Sequence, residues 1–186
     1  VYIEREEIRC APGGVGSAKT GGNYASSLRS YQKILSLGLD QTLWLDALEH
    51  KYIEEMSGMN FFAVMNGKLV TPELTDTILD GITRKSIIEL ARSGGFEVEE
   101  RKISIHELIE KIENKTCTEA FVCGTAAVIT PISSFSDDSG DVFKLPEEDG
   151  KISLLLKEKL IHIQAGREKA PKGWNYPVRS FHKEPS

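Results

Sequence analysis

The stretch "SAKTGGNY", residues 17 to 24, sets a single lysine, Lys19, beside a pair of glycines and follows them at once with Asn23 and Tyr24. A lysine flanked by small residues can lay its chain against a flat ligand. Exclusion of water lowers its pKa until the neutral amine attacks a carbonyl. An aldehyde held as a Schiff base is the chemistry that such a lysine serves. A pyridine ring carrying that aldehyde needs three further groups: a carboxylate at its nitrogen, an aromatic hydroxyl at its phenolic oxygen, and backbone N–H groups for a phosphate. The sequence offers Glu54 or Glu55 in "IEEMSGMN", Tyr24 in "GGNY", and the stretches "GIT" (Gly81 to Thr83) and "GTA" (Gly124 to Ala126).

The elements that must position these groups are those of one mixed α/β domain. "GGNYASSLRSYQKILSLG" has apolar residues at Tyr24, Leu28, Tyr31 and Leu35 and closes on Gly38, which predicts one helix of roughly four turns starting just after the glycine pair. "QTLWLDA" and "KYIEEM" are extended runs, and Asn66-Gly67 between apolar arms in "NFFAVMNGKLVTP" is a hairpin signal. "DGITRKSIIELARSGG" is helical, with Thr83 as N-cap and Gly94-Gly95 as stop. A short strand at "FEVEERKI" precedes a capping box, Ser104 with Glu107, that opens the helix "IHELIEKIEN". "EAFVCGTAAVITPI" is a buried strand broken at Gly124-Thr125 and resumed, "SFSDDSGDVF" a turn, and "KISLLLKEKLIHIQAG" a last amphipathic helix. Residues after Gly166 are loop-like, and 179–186 form a tail, disordered or foreign to the protein.

Acids outnumber bases 28 to 23 and the net charge is −5, with the cations scattered, so nucleic acid is not an expected partner. No apolar run approaches the roughly 18 residues of a membrane span, and "VYIEREEIRC" is too charged for a signal peptide, so a cytoplasmic address is expected and a membrane is not. The three cysteines, Cys10, Cys117 and Cys123, have no C-x-x-C spacing and read as reduced thiols; no metal site is expected.

Taken in order, "AKTGGNYASSL", "QTLWLDA", "EEMSGMNFF", "LVTPELTDTILDGITRKSIIELA", "GFEVEERKIS" and "EAFVCGTAAVITPI" resemble the branched-chain aminotransferases, pyridoxal 5′-phosphate enzymes of the fold-type IV class. The resemblance runs from about residue 10 to residue 132 and returns in "QAGREKAPKGW". It implies the large C-terminal domain of that fold, a mixed sheet or pseudo-barrel flanked by helices, over residues 1–178. It makes Lys19 the catalytic lysine, carrying the cofactor and moving the substrate's α-proton. Tyr24 is implied at the phenolic oxygen, and Glu55, five residues before Asn60, at the pyridine nitrogen. Successive strand residues face opposite ways, which leaves Glu54 structural or solvated. The phosphate falls by the same resemblance to Ile82 and Thr83 and to Thr125, with Gly81 and Gly124 small so that the anion can approach. Gly58 and Met59 would lie beside the substrate, and Thr125 and Ala126 would offer amides to its carboxylate.

The implied reaction is transfer of the amino group of leucine, isoleucine or valine to 2-oxoglutarate, giving glutamate and the branched 2-oxo acid, in a homodimer. D-amino-acid transaminases and aminodeoxychorismate lyases share the fold and are the neighbouring alternatives. The chain departs from the family in two places. A thiol pair that some members carry after "GTA" is replaced by "AVIT". The chain also starts about 18 residues before Lys19, so the small domain that precedes the lysine in the family is expected to be absent. The resulting expectations are a patch left exposed, self-association through it, and a second reading of the chain as a folded but catalytically silent fragment.

Overall fold

In Met59–Met65 every residue from Asn60 onward is buried, so both faces of this strand are covered and its sequence shows an apolar run in place of alternation. The computed structural model describes residues 1–146 and 150–176. In chain order the elements are β1 (Tyr2–Glu4), α1 (Gly21–Ser26), α2 (Leu28–Ser36), β2 (Thr42–Leu45), β3 (Ile53–Met56), β4 (Met59–Met65), β5 (Lys68–Thr71) and α3 (Ile82–Ser93). There follow β6 (Val98–Glu100), α4 (Ile105–Glu113), β7 (Cys117–Gly124), β8 (Val128–Ile132), β9 (Ser134–Ser136), β10 (Val142–Lys144) and α5 (Lys151–Gln164).

All the strands join one mixed sheet in the order β10-β9-β1-β2-β3-β4-β5-β6, with β7 along the other edge of β4 and β8 outside β7. β1 runs parallel to β2 and β9, and β5 parallel to β6, while the β2–β3, β3–β4, β4–β5, β4–β7 and β7–β8 pairs are antiparallel. β4 divides its side chains between two cores. Phe61, Ala63 and Met65 enter a cluster with α4 through Ile105, Leu108 and Ile112. Phe62 and Val64 enter a second, with α3 (Ile87, Leu90) and α5 (Leu156, Leu160), where Phe62 and Phe121 stack with centroids 5.2 Å apart. Glu119, buried in β7, fixes α5 by accepting from the N–H of Ile152 at 2.8 Å and of Ser153 at 3.0 Å, a carboxylate placed at the positive end of a helix.

Asn66 and Gly67 both have positive φ, 51° and 77°, as a two-residue hairpin turn demands. Ser104 Oγ accepts from Glu107 N at 3.0 Å, as the capping box requires. Four expectations change. The cap of α3 is Gly81, with no side-chain bond, and Thr83 lies inside the helix. "SFSDDSGDVF" is a hairpin, β9 with β10, in place of a bare turn. β1 was hidden in a charged segment: Tyr2 and Ile3 are buried, and Glu4 turns its carboxylate onto its own chain at Glu6 N, 3.0 Å away. The tail 179–186 lies outside the described residues.

The fourth change is at the expected long helix, which is two helices. Ser27 sits between them, its Oγ bonded to the Tyr24 carbonyl at 2.7 Å, a side-chain bond that competes with helix continuation. The stripe Leu28, Tyr31 and Leu35 faces outward, 60%, 48% and 57% exposed. The inward face is Ile34 and Ser30, whose hydroxyl meets Thr42 Oγ1 of β2 at 3.1 Å. Leu35→Ser is therefore expected to change unfolding free energy by no more than about 0.5 kcal/mol, against about 2–4 kcal/mol for Ile34→Ala. Urea denaturation of the two variants checks this, and equal losses would contradict the outward placement.

Candidate functional site

Lys19 lies on the loop between β1 and α1, and that loop is held from three sides. Asn23, buried in α1, donates its amide Nδ2 to the carbonyls of Val15 and Ala18, both at 2.9 Å, closing the turn that carries the lysine. Ser17 N donates to Asp76 O at 2.8 Å, and Gly13 N to the Asp76 carboxylate at 2.6 Å. Gly16 packs so closely on residues 72–81 that a Cβ there would come within 2.6 Å of both Cys10 Sγ and the Thr77 Cα, which only glycine escapes. At Gly21 and Gly22 an added Cβ would meet nothing within 4 Å, so the space beside Lys19 is open.

An open cleft enclosing about 450 Å³ of empty space gathers Lys19, Tyr24, Glu55 and Gly58, with Arg9, Ala18, Asn23, Ser27, Trp44, Ser57 and Leu79 completing its wall. Lys19 is exposed on this wall and Tyr24 is 47% exposed, so the water exclusion expected around the lysine is not provided by these residues. Gly58, at φ 78°, makes the β3–β4 turn and leaves only 3.6 Å between an added Cβ and the Tyr24 ring. Tyr24 thus flanks the cleft and is not plain core.

Glu55 is 2% exposed, and its two oxygens are both engaged. Oε2 accepts from Leu79 N at 2.9 Å and Oε1 lies 3.3 Å from the Arg9 guanidinium. Burial pushes its carboxyl up to about 7, with the Arg9 charge and the Leu79 N–H pulling the other way. Arg9 is itself buried, donating Nη2 to the carbonyls of Gly16, at 3.1 Å, and Thr77. Glu54 faces away from the cleft. It is 7% exposed, its Oε1 accepts from Thr77 Oγ1 at 2.5 Å, and burial raises it to about 7, so the solvated alternative is wrong and the structural one stands.

The other sequence-predicted residues lie outside this cleft. Gly81 caps α3, whose first turn carries Ile82, exposed, and Thr83, half-buried. A Cβ on Gly81 would strike Asn60 Oδ1, so the protein itself requires a glycine there, apart from any anion. Asn60 donates Nδ2 to Leu79 O at 2.8 Å, and Leu79 is on the cleft wall, which ties the start of α3 to the site. Thr125 and Ala126 are exposed in the β7–β8 turn; Gly124, just before it, would set a Cβ 3.3 Å from Met59 Cγ and 3.8 Å from Gly58 O. The β7–β8 turn therefore adjoins the β3–β4 turn. Sequence reasoning missed Arg9, Trp44 and Leu79. Arg9 is one of two arginines in "EREEIRC", and nothing in that string separates it from Arg5.

Residues 3–135 match amino-transferase class IV. The chain belongs to that family. Class IV aminotransferases related to it include the probable branched-chain-amino-acid aminotransferase of Staphylococcus aureus (strain N315), 47% identical over 181 residues, covering 97% of this chain and 51% of the relative. The branched-chain-amino-acid transaminase 1 of Bacillus subtilis (strain 168) is 46% identical over 178 residues, covering 96% and 50%. Among solved structures, the branched-chain amino acid aminotransferase from Escherichia coli superposes with a TM-score of 0.76 at 32% identity, over 95% of this chain and 55% of that one. The branched-chain amino acid aminotransferase from Thermobaculum terrenum, solved in its PLP form, gives 0.75 at 31%, over 90% and 51%. The mixed α/β fold is that of these enzymes, and the chain spans about half the length of the relatives it matches. No helix among the described residues is long and apolar enough to cross a membrane, and no group of side chains there suits a metal ion. The cysteines are free; Cys117 and Cys123 are buried, with burial pushing each thiol up to about 12.

Proposed function

We propose that residues 1–178 are the cofactor-binding part of a pyridoxal-phosphate-dependent transaminase acting on leucine, isoleucine and valine, with 2-oxoglutarate as acceptor. The observation that carries the reading is the gathering of one amine, one phenol and one buried, arginine-backed carboxylate on a single cleft. That donor set fits a pyridine aldehyde: an amine for the carbonyl carbon, an acid for the ring nitrogen and a hydroxyl for the phenolic oxygen. The substrate class comes from relatives 46–47% identical.

Bound pyridoxal phosphate supplies an aldehyde and an electron-withdrawing ring. Lys19 Nζ would hold the group through its aldehyde, with loss of water, and, once the substrate amine has taken its place there, would carry the proton of the substrate α-carbon. Glu55 accepts the pyridine N–H, and Arg9 favours the ionised carboxylate that does so. Tyr24 donates its hydroxyl to the phenolic oxygen. The N–H groups of Ile82 and Thr83 and the Thr125 hydroxyl hold the phosphate, with Gly81 and Gly124 admitting it, and the helix dipole of α3 favours the anion. Gly58 and Met59 border the substrate, and Thr125 and Ala126 receive its carboxylate. On this reading the protein works in the cytoplasm as a homodimer.

The test is to add pyridoxal phosphate, remove the excess by gel filtration, and follow the yellow absorbance that stays with the chain. L-leucine is then expected to bleach it while D-leucine does not. Retained colour that neither amino acid changes would favour the silent fragment, and bleaching by D-leucine the D-amino-acid transaminases.

A further inference from the structure

Val128, the first residue of β8, has φ 57°, in the left-handed region. Among the described residues the other non-glycine positions with positive φ are His50, Asn66 and Lys115, so Val128 alone of the four is β-branched. In this region Cβ crowds the following carbonyl oxygen, and a branch at Cβ crowds it further, so glycine and asparagine are the residues that ordinarily stand there. Strain of this kind persists only where the surroundings over-determine it, and it collects at active sites and ligand clamps. The surroundings of Val128 do hold it. Its half-buried side chain packs against the core cluster that includes Phe62, Phe121, Cys123 and Ile129. Its backbone stands opposite Gly124, and the next pair is Cys123 with Ile129, both wholly buried. Thr125, Ala126 and Ala127 are thus closed between two fixed ends.

Position shows what the closed turn serves. Gly124, at its start, adjoins Met59 and Gly58, and Gly58 is on the cleft wall that also carries Lys19 and Glu55. Thr125 and Ala126 stand exposed at that edge. We infer that Val128 is a positioning residue: held in its left-handed conformation by the core, it fixes the β7–β8 turn so that Thr125 stands ready for the cofactor phosphate. The inference rests on the pyridoxal-phosphate reading of the cleft. A turn already fixed has little ordering entropy left to lose when the anion arrives, so more of the contact appears as affinity. Glycine at this position would relieve the strain but would also be free to leave the left-handed region, and the turn would then have to be ordered by the ligand.

Two variants separate strain from binding. Val128→Ala loses the packing and keeps a Cβ in the left-handed region, whereas Val128→Gly loses both the packing and the strain. The glycine variant is therefore expected to unfold at the higher urea concentration, the reverse of the usual order of alanine and glycine. Loss of the anchor loosens the turn in both, so the amides of residues 125–128 are expected to exchange faster with deuterated water than in the parent. Pyridoxal phosphate is expected to bind both variants about three- to tenfold more weakly, while pyridoxal, which lacks the phosphate, binds them as it binds the parent. An alanine variant more stable than the glycine one overturns this inference alone. So does a parent-like preference for pyridoxal phosphate over pyridoxal in the variants. A parent chain that binds the two compounds equally overturns the phosphate reading of the turn and this inference with it.

Discussion

Lys19→Ala protein mixed with pyridoxal phosphate is expected to leave a gel-filtration column colourless, whereas the parent chain leaves it yellow. Borohydride treatment of the parent is expected to fix a pyridoxyl group on one lysine, and peptide mass spectrometry to find it at Lys19. The reason lies in position. Lys19 is exposed, as are many lysines of this chain, but it stands on the wall that also carries Glu55 and Tyr24. A ring clamped between the acid and the phenol presents its aldehyde to that amine at an effective concentration far above that offered to any other lysine. Loss of the amine also removes the proton carrier, so the reaction with L-leucine is expected to slow by about 10²–10⁴-fold. Because Lys19 makes no buried contact, its removal is expected to alter stability by no more than about 0.5 kcal/mol, and thermal unfolding checks that the fold survives. A pyridoxyl group found on several lysines at once, or colour kept by the variant, would end the assignment.

The elements were legible where one short-range signal decides them. Asn66-Gly67 specifies a turn with two positive φ values, and Ser104 with Glu107 specifies a helix start, whatever lies around them. Legibility failed where the deciding contact is distant in the chain. The apolar stripe Leu28, Tyr31 and Leu35 has the right period for a buried face, yet the helix turns Ser30 inward because Thr42 offers its hydroxyl a partner. β1 has two apolar residues among charges, and becomes a strand because β2 and β9 close on it from both sides. At the site the divide is similar. Lys19, Tyr24 and Glu55 were visible as motif residues, but the cleft is shaped by Arg9 crossing to Thr77, by Asn60 reaching Leu79, and by Gly16 packed against Thr77. The first of these links joins residues 68 positions apart and the second residues 19 apart. A turn or a cap is decided within a few residues, and no stretch that short contains both ends of such a link.

Arg9→Met is expected to shift the pH dependence of pyridoxal-phosphate binding upward and to weaken binding at neutral pH. Glu55 must be ionised to hold a protonated pyridine nitrogen, so affinity is expected to rise as pH passes through its pKa, about 7 in the free protein. Burial sets that value high and the Arg9 charge, 3.3 Å from Oε1, holds it from going higher. Without the cation the pKa moves up further, by about 1–3 units for a partner this near, and each unit is about tenfold in the ionised fraction at pH 7. The stability sign follows from the same group. A carboxyl whose folded pKa stands above the unfolded value contributes stability that is full below the unfolded pKa and is lost as pH rises through the folded one. At pH 5 Glu55 is protonated in both proteins, and the variant lacks only Arg9's packing and its bonds to Gly16 and Thr77. At pH 8 the parent holds a paired carboxylate, while the variant holds a lone buried charge or a proton taken up from solvent. The cost of the substitution is therefore expected to grow between pH 5 and pH 8 by about 1–1.4 kcal/mol, measured by urea unfolding at each pH. Binding profiles that superimpose, together with a stability cost that does not change with pH, would show that Arg9 packs the loop without governing the charge of Glu55.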